Sequence, residues 1–286
     1  MTLREAGQHL LTKLGTLYEP GEAQAITTLV MEHITGLKKI DRFLVRDEAL
    51  PAEKQHRLEE MTEQLCRHRP VQYVLGEAWF AGMRFYVDEN VLIPRPETEE
   101  LIQWATDTCK AKPDAGSALD IGTGSGCISI SFKIKNPGVD ITALDVSTAA
   151  LKIARFNAEK LGAGVNWIPF DFLEEKNWER LPAFDIILSN PPYVKQSERP
   201  QMAEHVLQFE PALALFVPDE DALLFYRKIA VFGKTHLNKG GVLFLEINES
   251  LGYAVTGLFS DHGYRTQLRK DLHGRDRMVK AWKDKL

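Results

Sequence analysis

From Ser117 onward, short apolar segments alternate with amphipathic ones, and this alternation limits the fold more than any other feature. Ala118–Ile121, Ile141–Leu144, Val165–Ile168, Asp185–Ser189 and Val242–Ile247 have strand length and are aliphatic, as strands buried on both faces are. Helical stretches separate them. Ser147 can cap a helix running to Leu161, with Gly162 beyond its end. Further helices are expected over about 219–237 and over 251–259. Strands alternating with helices predict an α/β fold with a parallel, doubly wound sheet. The tail, 264–283, reads as two strands joined around His273-Gly274, which adds one antiparallel member.

Residues 1–70 carry no strand pattern. Leu3, Leu10, Leu11 and Leu14 form one helical stripe, and Ile26, Leu29, Val30, Met31 and Ile34 a second. Ile40, Phe43 and Leu44 suggest a third helix. Pro51 opens a fourth, whose inner face is Leu58, Met61 and Leu65. This predicts an N-terminal helical bundle domain over 1–70, either a scaffold or a substrate-recognition domain. A linker over 71–95 is aromatic and β-branched, with a short hairpin expected over 79–87. The catalytic domain is expected over 96–286. Pro96 suits the first turn of a helix, and Glu97, Glu99 and Glu100 favour its positive end. Arg95, fixed between Pro94 and Pro96, either pairs at that helix start or lines the site.

A net charge of -5 over 286 residues argues against a broad nucleic-acid surface. Three widely spaced cysteines fit a reducing compartment. The chain starts without the apolar core of a signal peptide, and no run reaches membrane-spanning length, so a cytoplasmic protein with no membrane partner is expected. No histidine or cysteine spacing suits zinc, and no metal is expected.

The fourth strand ends at Asn190, followed by Pro191, Pro192 and Tyr193. Proline cannot continue a central strand, so the chain stops abruptly and leaves rigid carbonyl acceptors. Ligands bind at this edge of open α/β sheets. A carboxamide offers a donor and an acceptor together, which suits an amide or the edge of an adenine. After the first strand comes Asp120-Ile121-Gly122-Thr123-Gly124-Ser125-Gly126-Cys127. The dinucleotide pattern G-x-G-x-x-G fails, because the residue three beyond Gly124 is Cys127. The spacing D-x-G-x-G-x-G looks like the S-adenosylmethionine loop of Rossmann-like methyltransferases. Asp145 ends the second strand, where a carboxylate can accept bonds from both ribose hydroxyls. Phe172 follows the third strand, at the height of an adenine.

The chain resembles the peptide chain release factor N5-glutamine methyltransferases, the HemK/PrmC family. The resemblance rests on Arg69-Pro70-Val71-Gln72-Tyr73-Val74-Leu75-Gly76, on Leu92-Ile93-Pro94-Arg95-Pro96-Glu97-Thr98-Glu99, on the loop Gly122–Gly126, on Asn190–Tyr193, on Glu210-Pro211, and on the stretch from Lys270 to Arg277. It implies a Rossmann-like S-adenosylmethionine-dependent methyltransferase sheet behind the helical bundle and hairpin. It implies cofactor contacts at Gly122, Thr123, Gly124, Ser125, Gly126, Asp145, Phe172 and Asn190. It implies catalytic and substrate contacts at Asn190, Pro191, Pro192 and Tyr193. The implied reaction moves a methyl group from S-adenosyl-L-methionine, leaving S-adenosyl-L-homocysteine. The acceptor is the side-chain nitrogen of the glutamine in the Gly-Gly-Gln loop of a release factor. Alternatives are an adenine-N6 DNA or RNA methyltransferase, a glutamine methyltransferase acting on a ribosomal protein, and a non-catalytic cofactor-binding scaffold. Two departures stand out. Asn248 and Leu251 replace a Gly and a Gln usual after the fifth strand, with Asn expected to keep a left-handed turn. Phe172 stands where members often carry Trp.

Overall fold

The computed structural model describes residues 1–111 and 116–283. They group into two units. The first is helical and comprises residues 1–77 together with 204–209. Its helices are α1 (Leu3–Leu14), α2 (Pro20–Thr35), α3 (Lys39–Leu44), α4 (Ala52–Cys66) and α5 (Val71–Leu75). Thr2 caps α1 through a reciprocal box with Glu5, and Gly36 ends α2 in the left-handed conformation. Leu10, Leu14, Val30, Leu58 and Leu65 fill the core. The third stripe behaves differently: Ile40, Phe43 and Leu44 are 73%, 63% and 77% exposed, and α3 buries nothing.

The β-branched run after Pro70 is helical rather than extended. Pro70 sets the start of α5, Gly76 (φ 66°) stops it, and Tyr73 and Val74 are buried. Burial in the helical core overrides local β-propensity here.

The second unit begins with a hairpin of β1 (Ala78–Phe80) and β2 (Met83–Phe85), turning at Ala81-Gly82 with both φ angles positive. Then follow α6 (Pro96–Lys110), β3 (Ser117–Ile121), α7 (Cys127–Lys135), β4 (Asp140–Asp145), α8 (Thr148–Leu161), β5 (Asn166–Pro169) and β6 (Phe184–Ser189). A short β7 (Val194–Lys195) precedes α9 (Glu204–Phe209), which groups with the helical unit. The chain continues through α10 (Ala212–Leu215), β8 (Phe216–Val217), α11 (Leu224–His236), β9 (Leu237–Glu246), α12 (Gly252–Asp261), β10 (Arg265–Lys270) and β11 (Asp276–Trp282).

The main sheet has the order β10-β11-β9-β6-β3-β4-β5. β11 runs antiparallel to both neighbours, and the pairs from β9 to β5 are parallel. Side chains alternate between two buried layers. Ile186, Leu188, Val242 and Phe244 join α6 and α7 on one face, while Ile187, Leu243 and Leu245 join α11 and α12 on the other. This is the doubly wound sheet that the strand pattern predicts, with a single reversed strand.

Three boundaries differ from the sequence reading. α11 starts at Leu224 rather than near Asp219, because Asp221 closes a turn onto the Pro218 carbonyl. β9 starts at Leu237, ahead of Gly240-Gly241, because Leu237 pairs with Phe184 across a bulge. Asn248 does not take a left-handed turn. Its φ is -62°, and its Oδ1 accepts the Ser250 N–H to cap a 3-10 turn before α12.

Candidate active site

The chain winds outward from β3 through β4 and β5, then returns to β6 on the other side of β3. This reversal opens a crevice at the strand carboxyl ends. Register places the expected residues along it. Ile121 pairs with both Leu144 and Ser189, so Gly122, Asp145 and Asn190 leave three adjacent strands at one level. Ser189 Oγ donates to the Ile121 carbonyl at 2.8 Å and locks β6 to β3 at that level.

A cavity of about 250 Å³ occupies the crevice. Gly122, Thr123, Gly124 and Ser125 line it from the loop, and Asp145, Val146 and Ala150 from β4 and α8. Phe170, Asp171 and Phe172 line it beyond β5. Asn190, Pro191 and Pro192 line it beyond β6, and Arg95 and Thr98 at the start of α6. Every expected cofactor residue except Gly126 therefore borders one cavity.

The three loop glycines have φ of 75°, 55° and 81°, a region that side chains disfavour. Their surroundings differ. A Cβ on Gly122 or Gly124 would meet nothing within 4 Å, whereas one on Gly126 would lie 2.9 Å from Ile130 and 3.1 Å from Trp167. Gly126 permits close packing of the loop on its helix. Gly122 and Gly124 leave backbone bare toward the cavity.

Buried polar groups pin this loop. Asp120 Oδ2 accepts from the Thr123 hydroxyl at 2.7 Å and from Ser129 N–H at 3.2 Å. Burial pushes Asp120 up to about 7 despite those bonds. Thr123 thus turns its hydroxyl toward the core while its residue borders the cavity. The carboxamide of Asn157 donates to the Ser125 carbonyl and holds both backbone groups of Tyr86.

Asp145 accepts Gly124 N–H at 2.8 Å through Oδ2 and Ser147 N–H at 2.9 Å through Oδ1. Burial raises its pKa, and the backbone donors act against that. A carboxylate oxygen has two acceptor directions, so both oxygens retain capacity for hydroxyl donors. Phe172 is 5% exposed. Its ring packs against Trp178 and Phe232 with centroids 5.4 and 5.3 Å away, while the residue still borders the cavity.

Asn190 Nδ2 donates to Thr98 Oγ1 at 3.3 Å, and the Thr98 hydroxyl donates to Glu246 Oε2 at 2.6 Å. Tyr193 is not among the residues that line the cavity. Its hydroxyl lies 3.4 Å from Glu246 Oε1, its ring packs on the core, and burial pushes the phenol up. Arg95 takes both roles that the sequence leaves open. It pairs with the buried carboxylate of Glu210, which also accepts Ile93 N–H at 3.2 Å, and it borders the cavity. That pair ties the Pro94–Pro96 segment to Pro211, Leu213 and Ala214, which form the facing wall. Thr98 and Glu246 carry no catalytic signature in the sequence. Thr98 falls within the Leu92–Glu99 stretch that carries the family resemblance, and Glu246 ends an aliphatic strand, but nothing in the sequence marks either as part of the site.

The donor set suits a nucleoside-bearing cation: bare loop backbone, one buried carboxylate, aromatic walls and a carboxamide. Among the described residues no group of three or more His, Cys, Asp or Glu side chains is placed to hold a metal ion. No helix among them is long and apolar enough to cross a membrane.

Comparisons with known proteins agree with this architecture. The family model of the methyltransferase small domain matches residues 105–214, and that of the PrmC N-terminal domain matches residues 3–76. The chain is 41% identical to the release factor glutamine methyltransferase of Bacteroides thetaiotaomicron, over 96% of this chain and 97% of that one. It is 38% identical to the enzyme of the same name from Flavobacterium psychrophilum, over 98% and 99%. A 16S rRNA N2 G1207 methyltransferase from T. thermophilus, solved with AdoMet and guanosine, superposes with a TM-score of 0.51. It is 18% identical, over 73% of this chain and 50% of that one, and shares the fold alone.

Proposed function

We propose that this chain, which belongs to the release factor glutamine methyltransferase family, methylates the side-chain amide nitrogen of a glutamine in a peptide chain release factor. Its methyl donor is S-adenosylmethionine, and the glutamine is that of the Gly-Gly-Gln loop. The observation that carries the reading is Asn190, a carboxamide held between two rigid prolines and Thr98 at the mouth of the glycine-loop crevice.

The bare backbone of Gly122 and Gly124 and the Asp145 carboxylate would hold the cofactor, with Phe170 and Phe172 as the aromatic lining beside them. When bound there, S-adenosylmethionine supplies an electrophilic sulfonium methyl group. An amide nitrogen is a poor nucleophile, because its lone pair is delocalised onto the carbonyl. Asn190 Oδ1 and the Pro191 carbonyl accept the two N–H bonds of the target glutamine. Those bonds raise electron density on the nitrogen and aim its lone pair along the cavity. Alignment supplies the catalysis. The methylated nitrogen is strongly acidic and gives its proton to water, so no dedicated base is needed. Pro192 shapes the acceptor wall, and Tyr193 anchors the end of the Asn190–Tyr193 segment to Glu246 and the core.

Adenine presents a similar N–H2 edge, so the fold alone leaves a nucleic-acid substrate open. Family membership and the net charge of -5 both favour a protein amide. The enzyme then works in the cytoplasm, where release factors act. Labelled S-adenosylmethionine is expected to label purified release factor and to leave duplex DNA and ribosomal RNA unlabelled. Label in nucleic acid alone would reverse the assignment.

Substrate recognition belongs to the helical unit, whose α3 presents Ile40, Phe43 and Leu44 to solvent. Apolar and aromatic anchors dominate protein interfaces. Replacing all three with serine is expected to raise KM for release factor roughly tenfold, with KM for S-adenosylmethionine unchanged. Equal KM values in variant and parent would remove α3 from the recognition surface.

A further inference from the structure

We infer that Thr98 and Glu246 are positioning residues that fix which end of the Asn190 carboxamide meets the substrate. The inference rests on the amide-methylating function proposed above.

The two ends of a carboxamide have the same shape, so only hydrogen bonds tell them apart. Thr98 Oγ1 is 2.6 Å from Glu246 Oε2 and 3.3 Å from Asn190 Nδ2. An ionised carboxylate can only accept. The single hydroxyl proton of Thr98 is therefore committed to Glu246. Toward Asn190, Thr98 can only accept, so Nδ2 turns to Thr98. Oδ1 becomes the end left for the cavity, where the target N–H2 needs an acceptor. If Glu246 carried its proton on Oε2, the oxygen facing Thr98, the chain of bonds would run the other way. Glu246 would donate to Thr98, Thr98 would donate to Asn190 Oδ1, and the cavity would meet a donor instead. The charge of Glu246 thus sets the polarity of the site without touching the substrate.

Glu246 is 1% exposed at the end of β9. The groups around it come from five elements. Thr98 and Glu97 lie on α6, Tyr193 follows β6, and Arg277 lies on β11. Cys127 at the start of α7 feels its charge, and Tyr226 of α11 donates to its backbone carbonyl at 3.1 Å. Burial pushes Glu246 up to about 7, opposed by the Thr98 hydroxyl and by Arg277. The polarity of the site therefore changes near neutral pH.

The test combines turnover with a binding measurement. In the wild type, kcat for methylation of purified release factor is expected to rise with pH through about 7. The affinity of the enzyme–S-adenosylhomocysteine complex for a Gly-Gly-Gln peptide is expected to rise with it. Thr98→Val keeps the shape and removes the relay. Its kcat at alkaline pH should fall on the order of 100-fold, its pH rise should vanish, and its peptide affinity should drop while S-adenosylhomocysteine still binds. Thr98→Ser keeps the hydroxyl and should restore all three. A flat wild-type profile for peptide affinity, a Thr98→Val enzyme with parental kcat, or a Thr98→Ser enzyme as poor as Thr98→Val would each overturn the inference. Wild-type enzyme that leaves release factor unmethylated would instead overturn the underlying function, and the two failures are thereby distinct.

Discussion

Asn190→Ala is expected to lower kcat for glutamine methylation by on the order of 100- to 1000-fold, the usual effect of deleting one preorganised hydrogen-bonding group at a reacting centre. Asn190 sits one residue past the Ser189–Ile121 lock, and Pro191 follows with no backbone freedom in φ. The backbone is thus held independently of the side chain, and the variant should fold. Removing the carboxamide would take away one of the two acceptors proposed for the target N–H2. It also leaves Thr98 with its Glu246 partner alone. Single-turnover methylation with saturating cofactor separates the chemical step from binding. Circular dichroism and a cofactor titration check the fold. A variant within a few-fold of parental kcat would mean that the amide is activated elsewhere.

Asp145→Ala should act on the other half of the site. The carboxylate organises the loop through Gly124 and the start of α8 through Ser147. Asp145 lines the cavity and keeps further acceptor capacity, which the proposed function assigns to ribose hydroxyls. A hydrogen bond to a charged group contributes about 1.5–3 kcal/mol, so Kd for S-adenosylmethionine should rise roughly 10- to 100-fold. The kcat at saturating cofactor should change far less. Burial raises the Asp145 pKa, so cofactor affinity should weaken on acidification before an ordinary carboxylate would titrate. Calorimetry on the folded variant checks both statements. An unchanged Kd would remove Asp145 from the cofactor site.

Much of this site is readable without coordinates, and the reasons are local. Glycine and proline restrict the backbone in ways that leave a sequence trace. Gly122, Gly124 and Gly126 take left-handed angles, Pro191 and Pro192 end a strand, and Gly162 closes α8. Strand alternation gives the sheet, and the order of loop, Asp145 and Asn190 gives the crevice. What escapes is what depends on distant partners. Thr98 and Glu246 are 148 positions apart and meet only because α6 starts beside the end of β9. Glu210 reaches Arg95 across 115 positions. Tyr193 reads as a substrate contact from its place after the prolines, yet its ring turns to the core and to Glu246. The helix at Val71–Leu75 escapes for a related reason, since burial of Tyr73 and Val74 outweighs their preference for strand.

In the proposed function, the carboxamide at the end of β6 presents an amide nitrogen, rather than a nucleobase, to the methyl donor. Mass spectrometry of purified release factor after incubation with the enzyme and S-adenosylmethionine tests it most directly. One added methyl group is expected on the side-chain nitrogen of the glutamine in the Gly-Gly-Gln loop. That methyl should be absent when this glutamine is replaced with alanine and absent with the Asn190→Ala enzyme. An unmodified loop glutamine, with methylated adenine recovered from nucleic acid in the same reaction, would contradict it.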